Sequence, residues 1–334
     1  MTVRASHSAW RRRVLVAILP ALILCARPGS ATLPEGAVAR IGFGRVNVLQ
    51  FSPAGDRLAL ATEFSVELLN SETFEPAEVL MEGVRASCLA YSRDGSVLAA
   101  SVAADGTGAH RRVKLWDAAT HEEIRDLPTL HGLAVALSPD GALLAVDDGG
   151  LVTVWDVAQG SRVATVEVSA HTWGVSFSAD GALLATASGS LFNRTPIKLW
   201  DVRNREDFAT LSAQGAGFSV AFSPDGQLLA SGTTGYGDYS DTTVKLWDAS
   251  SGAELATLLG HTADVRSVEF SPYGSLLASG STDGTVRLWD VASRSLFTTV
   301  TADSAVYSVS FSPDGSLLAA GTWDGTVSVW EVPE

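Results

Sequence analysis

Hydrophobic and polar positions alternate along this chain in short runs. Stretches of four to eight Val, Leu, Phe, Ala and Thr are bounded by Gly, Asp or Pro, which is the pattern of brief strands joined by tight turns. The pattern also repeats. An apolar run ends in Trp-Asp or Trp-Glu at Trp116, Trp155, Trp200, Trp247, Trp289 and Trp330. Six of the nine tryptophans therefore share one position that recurs every 39 to 47 residues. A second marker keeps step with it: an aromatic residue or Leu, then Ser, two further residues and Gly. It occupies Phe51 to Gly55, Tyr91 to Gly95, Leu137 to Gly141, Phe177 to Gly181, Phe222 to Gly226, Phe270 to Gly274 and Phe311 to Gly315. Two markers in phase define a repeat architecture of seven units.

Each unit reads the same way. A strand enters the marker, a Pro-Asp-Gly turn reverses it, and a Leu-Leu-Ala strand follows. A third strand ends at Trp-Asp, and a fourth, such as Glu254 to Leu258, closes the unit. In blade 1, Ser65 to Asn70 fills the Trp-Asp slot with neither residue. The two markers resemble the WD40 family from residue 36 onwards. The resemblance implies an all-β, seven-bladed β-propeller of four-stranded antiparallel blades around a central channel. A blade cannot bury both faces alone, so stability must come from stacking and from closing the ring. The chain stops just past the third strand of blade 7, and Gly36 to Gly42 parallels Gly252 to Leu258. Residues 37–41 are therefore expected to pair onto blade 7 and lock the ring.

The N-terminus is different in kind. Arg11-Arg12-Arg13 precedes an apolar run from Val14 to Ala26, and Gly29-Ser30-Ala31 supplies small residues for cleavage. That order reads as a secretory signal over residues 1–31, or as an uncleaved anchor, with the propeller in 36–334. The Arg11-Arg12 pair loosely resembles a twin-arginine signal, and Leu22 to Cys25 a lipoprotein box. Either way the protein is expected to be exported, periplasmic or extracellular. The segment holds five of the 23 basic residues and none of the 37 acidic ones, so without it the chain is more acidic still than its formal net charge of −14. Such a surface repels phosphate backbones and anionic membranes, which argues against a nucleic-acid partner. Past the signal, Cys88 is a lone thiol among apolar neighbours and reads as buried and inert.

Candidate chemistry is sparse. No metal, phosphate-loop or nucleophile-elbow motif is present, so neither a cofactor nor catalysis is expected. The family resemblance implies that His261, Ser279, Asp283 and Trp289 form a structural network within blade 6, although Ser, His and Asp together also invite a triad reading. Length variation carries more information. Blades 2, 4 and 5 insert at Ala103 to Arg112, Ser188 to Pro196 and Thr233 to Asp241, all on the face that carries the second-to-third and outer-to-inner strand connections. On that face, four residues before each marker, stand Asn47, Ser87, Leu133, Trp173, Phe218, Arg266 and Tyr307, with Trp323 beside the last. Trp, Phe, Tyr and Arg are the types enriched at binding hot spots. The expectation is a monomeric, non-catalytic scaffold that binds a protein partner through Trp173, Phe218, Arg266, Tyr307 and Trp323. The alternative is a small-molecule or glycan site in the channel mouth, with Asp238 and Asp264 as the carboxylates a hydrolase would need.

Overall fold

The structure is a computed structural model that describes residues 37–42, 44–103, 111–168, 170–189, 196–211, 216–234 and 241–333. Residues 1–36, Asp238 and most of the three inserted loops lie outside the described residues. Twenty-eight strands form seven four-stranded antiparallel sheets, and six of these take their strands in chain order from the inside outward. The seventh holds Val306–Phe311, Leu317–Thr322 and Thr326–Glu331, with Ala37–Gly42 as its outer strand. There Arg40 lies opposite Ser328 and Ile41 opposite Val327.

The second strands explain why the blades stack. Leu58–Leu60, Leu98–Ala100, Leu277–Ala278 and Leu318–Ala320 are essentially inaccessible on both faces, because each blade is covered by both neighbours. The inner strands are also sewn to one another. Val268 N–H donates to Ser219 Oγ at 3.0 Å, Val309 N–H to Ser267 Oγ at 3.1 Å, and Leu49 N–H to Ser308 Oγ at 3.1 Å. Each bond crosses from one blade to the next.

On the face of the inner-to-second strand turns the markers interlock. Every marker Gly has φ between 67° and 78°, a region that L side chains avoid. Gly55 packs on Pro313, Gly95 on Pro53, Gly181 on Pro139, Gly274 on Pro224 and Gly315 on Pro272, in each case the preceding blade's turn. In five of the seven turns the Ser hydroxyl donates to the Asp two residues on and accepts from the strand that follows, as in Ser223 to Asp225 at 2.5 Å and Leu228 N–H to Ser223 at 2.9 Å.

Asn70 solves the missing Trp-Asp of blade 1. Its Oδ1 accepts the N–H groups of Glu72 and Thr73, both at 2.9 Å. That is the cap Asp248 gives Ser250 and Ser251, at 3.1 and 2.8 Å. The blade keeps its outer turn by a different side chain.

Candidate functional site

One backbone irregularity builds the site. In six blades the pairing of inner and second strands skips a residue, at Asn47, Ser87, Trp173, Phe218, Arg266 and Tyr307. These are six of the seven rim positions. A bulged residue leaves the ladder and re-aims its side chain, which is how the face of the second-to-third strand connections receives a ring of side chains that strand alternation would otherwise send between the blades.

The bulged residues of blades 4 to 7 touch in sequence. Trp173 and Phe218 meet edge to face with centroids 5.2 Å apart. The Arg266 guanidinium lies 4.0 Å from the Phe218 centroid and 5.4 Å from that of Tyr307. Tyr307 and Trp323 follow at 5.5 Å. Arg45, at the entry to blade 1, continues the arc 4.5 Å over Trp323 and 5.8 Å from Tyr307. The structure therefore brings all five rim residues together and adds Arg45. Sequence reasoning missed Arg45 because it contacts blade 7 across the seam of the ring, more than 260 residues away.

The members differ in exposure. Trp323 is 51% and Trp173 39% exposed, whereas Phe218 is buried at 8%. Phe218 is thus the floor of the arc, clamped between Trp173 and Arg266, and not part of its surface. The arginines are held in place. Arg266 donates to Asp264 at 2.9 Å, and Thr234 fixes the other oxygen of that carboxylate at 2.7 Å. Asp264 thus has both oxygens engaged. Arg45 donates to Asn47 at 2.9 Å and pairs with Glu63 at 3.5 Å. The Trp173 indole donates to the Gly189 carbonyl at 3.1 Å. Apolar surface continues outward, with Phe64, Leu130 and Leu259 each more than 60% exposed on the same face.

Blades 1 to 3 are closed by contrast. Asn47 donates to the Ala86 carbonyl at 2.7 Å, Arg111 donates to Ser87, and Leu133 offers no polar group. Beneath them, burial pushes the Cys88 thiol up to about 12, so it is no thiolate nucleophile. Within the channel wall, burial pushes the Glu269 carboxyl up to about 8, against hydrogen bonds from Phe311 N–H and Ser310.

The blade 6 residues form a closed chain of bonds. Trp289 Nε1–H donates to Ser279 Oγ at 2.8 Å, Ser279 Oγ lies 2.8 Å from His261 Nε2, and His261 Nδ1 lies 2.9 Å from Asp283. Burial pushes the Asp283 carboxyl up, but hydrogen bonds from His261, Thr285 and Thr262 outweigh it and hold the group well below the usual range. Ser279 is fully buried and His261 only 6% exposed, so the Trp289 indole sits where a substrate would have to be. Among the described residues no group of three or more His, Cys, Asp or Glu could hold a metal ion.

Known proteins match the C-terminal repeats. The model of the WD domain, G-beta repeat matches residues 208–248, 252–290 and 294–331. Each match begins at the outer strand of one blade and ends in the third strand of the next. Nuclear distribution protein PAC1 of Arthroderma benhamiae is 46% identical over 61 residues, 18% of this chain and 13% of that protein. Guanine nucleotide-binding protein subunit beta-5b of Danio rerio is 37% identical over 59 residues, 18% of this chain and 15% of its own length. The periodic tryptophan protein 2 homolog of Schizosaccharomyces pombe is 41% identical over 59 residues, 18% and 7% respectively. The matched stretches thus span less than a sixth of each of these relatives.

Proposed function

We propose that this chain is a non-catalytic interaction platform that holds a protein partner against blades 4 to 7 on the face carrying the second-to-third and outer-to-inner strand connections. One observation carries the reading. Trp173, Phe218, Arg266, Tyr307, Trp323 and Arg45 form one continuous aromatic and arginine arc, pre-set by bulges and by Asp264, Asn47 and Glu63. Rings fixed in this way supply contact area at low entropic cost, and the two guanidinium groups can bind a carboxylate or a backbone carbonyl. A relative that is by name a subunit of a guanine nucleotide-binding protein agrees with such a role. The N-terminal segment directs the chain out of the cytoplasm, so the partner is sought in the envelope or outside it.

The test compares the parent protein with Trp173→Ala, Tyr307→Ala, Trp323→Ala combined, after matching their melting curves. A partner isolated with the parent should bind the triple variant at least on the order of tenfold more weakly. Equal binding by both would overturn the assignment of this face.

A further inference from the structure

The seven outer strands differ in one respect that bears on association. Six carry a charge: Glu78, Glu123, Glu167, Asp207, Glu254 and, in the closing strand, Arg40. Charges and prolines on edge strands keep the open backbone groups from pairing with another chain. Blade 6 ends instead in Ser295–Thr301, with the sequence SLFTTVT, which has neither charge nor proline. It pairs on one side only.

The difference is placed with some care in the register. In blades 2, 4 and 5 the outer residue opposite the repeated Trp is Glu123, Asp207 or Glu254, and each binds a lysine of the third strand at 2.7 to 3.0 Å. In blade 6 that position is Leu296, opposite Trp289. Leu296 is 45% and its neighbour Phe297 44% exposed. An acid that both neutralises a cation and guards the edge has been replaced by exposed apolar surface.

We propose that two copies of this chain pair edge to edge, antiparallel, through Ser295–Thr301 of blade 6. A second copy is the occupant that fits. An antiparallel pair about a twofold axis sets identical strands against each other, and this is the one outer strand of the seven that brings no charged side chain to such a pairing. The acidic remainder of the molecule repels a second copy at other edges. The strand's ends carry opposite signs, Arg294 before it and Asp303 after it, so antiparallel pairing brings unlike charges together at both ends. The protein expected from sequence to be a monomer becomes a weak dimer that leaves the face bearing the aromatic arc free.

Light scattering on the purified full chain over a concentration series should show the mass doubling, with a dissociation constant on the order of micromolar, as suits a small interface. Thr299→Lys should remain single at every concentration. Thr165→Lys, at the same register on the blade 3 outer strand, should dimerise as the parent does, and both variants should melt with it. Hydrogen exchange provides a readout free of mutation, because the 295–301 amides should gain protection as concentration rises. A single mass throughout, a dimer indifferent to Thr299→Lys, or a doubled mass with unchanged 295–301 exchange would each overturn the proposal.

Discussion

Trp330 shows what one missing oxygen does to a repeat. In blades 5 and 6 the indole N–H is received by Ser231 and Ser279, at 2.9 and 2.8 Å. In blade 7 the residue at that register is Ala320, and the Trp330 N–H is buried with no acceptor among the described residues. A buried donor left unpaired costs more than a typical bond returns. Ala320→Ser should therefore raise unfolding free energy by about 1 kcal/mol, read as a higher urea midpoint at unchanged slope. The same change at Ala185 of blade 4 provides a control. That site lies one residue off the register and should not gain: it is opposite Leu199, whereas the register position in blade 4 is Thr186, opposite Lys198.

At the scale of strands, contacts between blades depend on residues too small to attract notice. A Cβ added at Gly174 would lie 2.9 Å from both the Phe218 carbonyl oxygen and Ser219 Cα. Both are backbone atoms that no rotamer change can move. Gly174→Ala should push blades 4 and 5 apart and cost about 1–3 kcal/mol, measured by denaturant titration. It should also disturb the Trp173 and Phe218 contact, visible as a change in tryptophan fluorescence. The seven blades were legible because their signals are local, as a turn needs its Asp-Gly, whereas the blade 6 network, spread from His261 to Trp289, was legible only through the family resemblance. The rim was legible as a position, since spacing from the marker identified Trp173 and Tyr307. What spacing could not reveal was the bulge that turns those residues outward, or the burial of Phe218. Ties such as Lys198 to Asp207 were hidden for the same reason. They depend on a register slip between Leu199 and Trp200 that no count along the sequence contains.

For the molecule as a whole, acidity acts in two opposite directions. The turn aspartates, among them Asp140, Asp225 and Asp314, are held below the usual carboxylate range chiefly by the marker serines. Their contribution is present above about pH 4 and is lost as pH falls through the lowered values. Glu269 behaves the other way. The unfolded chain gives up its proton near 4.5 while the folded protein keeps it to about 8, so folding becomes less favourable as pH rises across that window. Glu269→Gln should melt with the parent at pH 4 and above it at pH 8. A parallel offset at both values would show that Glu269 does not titrate in this way.

The seam beside Thr326–Glu331 has a consequence for the order in which the protein can be made. Its partner strand, Ala37–Gly42, leaves the ribosome well before the residues it pairs with. Joining ends so far apart costs roughly 5 kcal/mol of chain entropy, and nothing offsets that cost until blade 7 exists. Every earlier blade can stack on its predecessor during synthesis. The ring itself can close only once Thr326–Glu331 has been made, so a product terminated before that strand is left with Ala37–Gly42 unpaired.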